Sequence, residues 1–139
     1  MRRTLALVAV MALVGCGGGN GENVAGSQAL TLDLAAQSDS GESGTARLTA
    51  EGEKTRIVVE VANAPEVAQP SHVHEGTCDD IGTVIAPLEN IVEGRAESVV
   101  DMSLGELRRG GLIVHAHKSE AEYETSVACA EIPPADASG

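Results

Sequence analysis

A chain of 139 residues with no Trp, no Phe and one tyrosine, Tyr123, must build its core from Val, Ile, Leu and Ala. Each aromatic ring buries roughly 150–250 Å² and fills thick interiors. Without such rings, thin interdigitated β-layers are favoured over an interior with a large cavity. The length allows one domain, and 42% hydrophobic with 22% charged residues is a globular mixture. The same shortage removes the stacking platforms that usually hold single-stranded nucleic acid. Nine Lys and Arg against 21 Asp and Glu leave a formal charge of −12, which repels phosphate backbones. No nucleic-acid partner is expected.

The hydrophobic period is two along most of the chain. Leu30, Leu32 and Leu34 alternate with Thr31 and Asp33, a half-buried strand pattern. Gly41 and Gly44 bracket a turn, and residues 45–49 read as a second strand. Glu51-Gly52-Glu53-Lys54 is a hairpin signal leading into the β-branched run Ile57-Val58-Val59-Glu60-Val61. Further short strands are expected over residues 71–75, 96–102, 111–117 and 124–132, with one helical turn at 103–107. Residues 76–94 carry few strand signals, and Pro133-Pro134 opens a frayed tail. Seven short strands in one small domain argue for an antiparallel sandwich or barrel.

The first residues have another purpose. Met1-Arg2-Arg3 followed by an apolar run to Leu13 is the layout of a secretory signal, too short to span a bilayer. Leu13-Val14-Gly15-Cys16 resembles a bacterial lipobox, whose cysteine is acylated and becomes the new N-terminus; the alternative is an ordinary signal with an incidental cysteine. The expected organisation is a signal peptide over 1–15, a lipidated Cys16 with a Gly-rich tether over 16–27, the β-domain over 28–134 and a tail over 135–139. Acyl chains on Cys16 would anchor the domain to a membrane outside the cytoplasm.

Two cysteines remain in that oxidising setting, Cys78 and Cys129. They suit a disulfide closing a loop of about fifty residues; the rival reading is two thiols on a metal. All four histidines fall in two identical spacings, His72-Val73-His74 and His115-Ala116-His117. On a strand, residues i and i+2 share a face, so each pair presents two imidazoles side by side. Neighbouring pairs would offer three or four nitrogens to one ion, and imidazole suits Cu(II), Zn(II) or Ni(II).

Pro70-Ser71-His72-Val73-His74-Glu75-Gly76 resembles the copper-zinc superoxide dismutase motif, in which a His-Val-His-Glu strand shortly precedes the first disulfide cysteine. Gly111-Leu112-Ile113-Val114-His115 is similar to the family's later copper-ligand strand, and Val127-Ala128-Cys129-Ala130-Glu131-Ile132 to its terminal strand. The resemblance spans residues 28–134; the CHRD domain is a second family with similar features. It implies an all-β, Greek-key, immunoglobulin-like sandwich or flattened barrel of seven to eight antiparallel strands. It further implies copper ligation by His72, His74 and His115 and a Cys78–Cys129 disulfide.

The departures bear on activity. No histidine lies between His74 and His115, so the family's bridging and zinc-ligand histidines are missing and copper, without zinc, is the expected ion. The family's superoxide-guiding arginine sits three residues before the second cysteine, where this chain has Ser126. His117 is extra and is expected to supply a fourth copper nitrogen. Residues 118–122 read as a solvated loop or as the rim of the metal site. The expected function is copper binding, storage or slow redox protection by a lipid-anchored domain at the cell surface. The alternatives are a copper-only dismutase and a metal-free structural or interaction module.

Overall fold

A computed structural model describes residues 28–137 as an all-β domain of eight antiparallel strands. They are β1 (Ala29–Ala36), β2 (Gly44–Glu51), β3 (Lys54–Val61), β4 (Ser71–Gly76), β5 (Ile81–Pro87), β6 (Arg95–Val100), β7 (Leu112–His117) and β8 (Ser126–Ile132). The expected signal, Cys16 and the tether lie outside the described residues.

The strands follow the order β5-β4-β7-β8-β1-β2-β3-β6 in one curled sheet. Its joint is β1, which pairs with β2 from Ala29 to Leu34 and with β8 through Ala35 and Ala36. One half therefore comprises β2, β3 and β6, the other β8, β7, β4 and β5. The connections from β3 to β4, β5 to β6 and β6 to β7 cross between halves, which gives the Greek-key character. Curling brings the inner faces together over an aliphatic core that includes Leu32, Leu48, Ile57, Val59, Val73, Leu112 and Val114. The absence of large rings matches this thin packing.

The β2–β3 hairpin forms at Glu51-Gly52-Glu53-Lys54 with Gly52 at φ 64°. The helical turn is also present as α1 (Leu104–Leu107), begun by a capping box between Ser103 and Glu106 and seated by buried Leu104 and Leu107.

Two expectations needed correction. The stretch 76–94 contains β5, so the strands number eight. Only Ala86 of β5 is buried, and Gly82 and Pro87 interrupt its composition. An edge strand held by pairing with β4 rather than by its own apolar face leaves no two-residue period to read. The segment after β8 is also held as far as Ala135, and the turn Ala135–Ala137 beyond it is exposed. Arg108 donates to the carbonyls of Pro133 and Pro134 at 3.2 and 3.0 Å, and the Arg108 carbonyl accepts from the Ala135 amide.

Candidate metal centre

Strand alternation decides where the histidines point. Val73 of β4 and Leu112, Val114 and Ala116 of β7 face the core, so His72, His74, His115 and His117 project from the opposite, outer face. The register sets His72 directly across from His115 and places His117, just past a bulge after Ala116, diagonal to His72. That outer face is nevertheless covered. His74, His115 and His117 are 4%, 2% and 4% exposed, and only His72 is half-buried.

Two segments make the cover. The chain leaving β4 turns back at Gly76, with φ 112°, where an added Cβ would lie 2.2 Å from the Asp80 carbonyl oxygen. Cys78 then bonds to Cys129 of β8, with a Cα–Cα separation of 5.8 Å. Cys129 is the register partner of His115, so the disulfide fastens this loop over the face that carries the imidazoles. Asp79 and Asp80 belong to this loop, and neither is in the group of His72, His74 and His117 that could hold a metal ion. The second segment, residues 118–125, brings Tyr123 onto the cluster. Its ring stacks on His117 with centroids 4.0 Å apart and planes 13° from parallel.

Hydrogen bonds orient the rings. His74 Nδ1 donates to the Gly82 carbonyl at 3.0 Å, leaving its Nε2 buried and without a partner. His117 Nδ1 donates to the Tyr123 carbonyl, which turns the Nε2 lone pair of His117 toward His72 Nδ1 at 3.1 Å. His72, His74 and His117 each offer a nitrogen within 4.8 Å of the other two, an arrangement that can hold a metal ion. Bonds of about 2.0–2.1 Å would place such donors within roughly 4 Å of one another, close to the spacing found here.

The trio differs from the one the resemblance implies. His117 belongs to it, while His115 stands beside it with ring centroids 4.4 Å from His117 and 5.2 Å from His74. His115 Nε2 is engaged with Ser126 Oγ at 2.7 Å, and its Nδ1 is buried without a partner. All four histidines are thus gathered, but three of them form the tight group.

Burial, with repulsion between neighbouring imidazoles, holds His72, His115 and His117 below the usual imidazole range. Burial, then repulsion from His117 and His74, pushes His72 down from 6.5 to about 4. Burial and the neighbouring imidazoles push His115 down to about 3. Burial also lowers His117, opposed by its bond to the Tyr123 carbonyl and by Glu124 and Glu120. Metal ligation requires these unprotonated nitrogens.

Three contributors escaped the sequence reading: Tyr123, Ser126 as a partner of His115, and the Gly82 carbonyl. Tyr123 offered one clue, as the chain's single aromatic side chain in the loop after His117. A backbone carbonyl on an edge strand offers none. No family model matches this chain, and comparison with curated proteins finds no similar sequence.

Proposed function

We propose that this domain binds copper through His72, His74 and His117, as a superoxide dismutase-like module anchored by lipid outside the cytoplasm. The observation that carries the metal reading is the gathering of His72, His74 and His117, each with a nitrogen within 4.8 Å of the other two, where the buried Nε2 of His74 has no partner. An orphaned buried nitrogen costs roughly 1–3 kcal/mol, which coordination would recover. Copper is favoured because an all-imidazole donor set binds it more strongly than other first-row divalent ions.

Binding, storage or slow redox protection fits the surroundings better than fast dismutation. Glu120 and Glu124 act on His117, so the local field attracts a cation and repels superoxide. The position of the family's guiding arginine is Ser126, committed to His115. Lys118 pairs with Glu122 at 2.7 Å, and Arg109 with Glu75 at 3.1 Å.

The test is copper content and Cu(II) spectrum of the full chain, purified in detergent, after loading and desalting. One copper per chain with nitrogen hyperfine structure is expected, lost in His74→Ala and weakened several-fold in His117→Ala. Copper retained equally by both variants would sink the assignment. Superoxide loss at the rate of a fast dismutase would overturn the storage reading while leaving the metal site intact.

A further inference from the structure

We propose that Tyr123 supplies the metal with a phenolate oxygen, making the centre a three-imidazole, one-phenolate site rather than one built from histidine alone. This rests on the copper reading above.

Tyr123 meets the cluster in three ways at once. Its backbone carbonyl accepts from His117 Nδ1 and so selects the His117 tautomer whose Nε2 is free to ligate. Its ring lies flat on the His117 ring at 4.0 Å and makes an edge contact with His72 at 5.8 Å. Its hydroxyl then ends 3.5 Å from His72 Nδ1.

That distance is informative. A hydroxyl hydrogen bond normally brings its heavy atoms to about 2.7–2.8 Å, so at 3.5 Å the phenol has no strong bond to the imidazole. Two adjacent donors that share one ion with bonds of about 2.0 Å stand roughly 2.8–3.3 Å apart, whether the angle between them is square or tetrahedral. The His72 Nδ1 to His117 Nε2 separation, 3.1 Å, belongs to the same range. His72 Nδ1 therefore has the Tyr123 oxygen on one side and His117 Nε2 on the other, each near the spacing of two donors on a common centre, and His74 belongs to the same group.

The loop is built to hold this pose. Lys118 and Thr125 close it through the Lys118 amide to the Thr125 carbonyl at 2.8 Å. Ser119 Oγ accepts from the Glu122 amide at 3.0 Å, and Lys118 bridges to Glu122. Tyr123 follows directly, 37% exposed, so its phenol proton has a route to solvent.

With Cu(II) bound, the phenol would have given its proton to water and its oxygen would hold the ion through the freed electron pair. His72 would carry its proton on Nε2, leaving Nδ1 to ligate. No electron is transferred. His115, held by Ser126, stays outside the ligand set.

The experiment compares the full chain and Tyr123→Phe, both in detergent and titrated with Cu(II). The phenylalanine ring preserves the stack on His117, and a thermal midpoint within error of the parent confirms that the variant folds. The parent should show a phenolate-to-Cu(II) charge-transfer band and phenolate modes in resonance Raman. Tyr123→Phe should lose both while keeping the nitrogen hyperfine lines, and its Cu(II) affinity should fall by at least about ten-fold, the scale seen for altered metal shells. Copper bound by the parent with no such band, or a band and affinity unchanged in the variant, would overturn the phenolate ligand and leave the histidine site standing. No copper bound by the parent would overturn both.

Discussion

The two halves of the sheet use their outer faces in opposite ways. On β3, Thr55, Ile57, Val59 and Val61 are buried while the intervening residues face outward, and the outer face carries charge. There Arg56 bridges Glu51 and Glu97, and Arg95 also reaches Glu97. On β7 all six residues are buried, because the core covers one face and the two loops cover the other. A strand buried on both sides is ordinarily apolar throughout. Here the second covered face holds imidazoles, two of whose nitrogens have no partner. A solvated outer face can be spent on charges worth little to stability. A covered one that is still polar is costly without a ligand, which is why the candidate site belongs to this half.

The comparison breaks most severely at the disulfide. Replacing Cys78 and Cys129 together by serine releases a loop with a sequence separation of 51 residues. The chain-entropy model gives a loss of about 4 kcal/mol, measured by urea unfolding. The same variant should bind copper more weakly, because the cover over His115 and His74 is no longer fastened. A loss below about 1 kcal/mol with copper affinity unchanged would show that the cover holds itself.

Leu48→Ala probes the other half. Leu48 is fully buried on β2, so truncation should cost roughly 2–5 kcal/mol. Copper stoichiometry should be untouched, since Leu48 belongs to the core between the sheet halves while the histidines project from the outer face of the other half. A variant that loses copper while still folded would mean that the halves are not separable in function.

Acid sharpens the contrast further. The unfolded chain protonates its histidines near 6.5, whereas folded His72 and His115 resist protonation until about 4 and about 3. Below 6.5 the unfolded state therefore binds more protons, and stability falls as pH drops from 6.5 toward 3. Urea midpoints of the metal-free protein across that window should decline, and His72→Asn with His115→Gln should flatten the slope. An equal slope in that double variant would place the acid sensitivity elsewhere.

The smallest effect belongs to the solvated face. Glu97→Ala removes partners of Arg56 and Arg95 but should cost no more than about 1 kcal/mol, less at high salt. A loss above about 2 kcal/mol would make the charge network a structural element comparable with the core.

Much of this was readable from the residues, for physical reasons that differ by element. Leu30, Leu32 and Leu34 announce β1 because a strand with one wet face must alternate. Ser103 and Glu106 announce α1 because a capping box is local chemistry. The strand β5 stayed hidden because pairing with β4, not its own burial, stabilises it. The His-x-His spacing exposed the site since i and i+2 share a face whatever the fold.

What the sequence by itself determined is the β-rich aliphatic core, the presence of two imidazole pairs and the presence of Cys78 and Cys129 within the β-domain. All of these follow from composition and from a periodicity of two. Only the tertiary structure decided that the pairs lie on adjacent strands, that His117 joins His72 and His74 while Ser126 engages His115, and that Tyr123 caps them. Those outcomes depend on strand register, on the bulge after Ala116 and on the path of two covering loops. They are set by contacts between residues far apart in the chain, which no local pattern encodes.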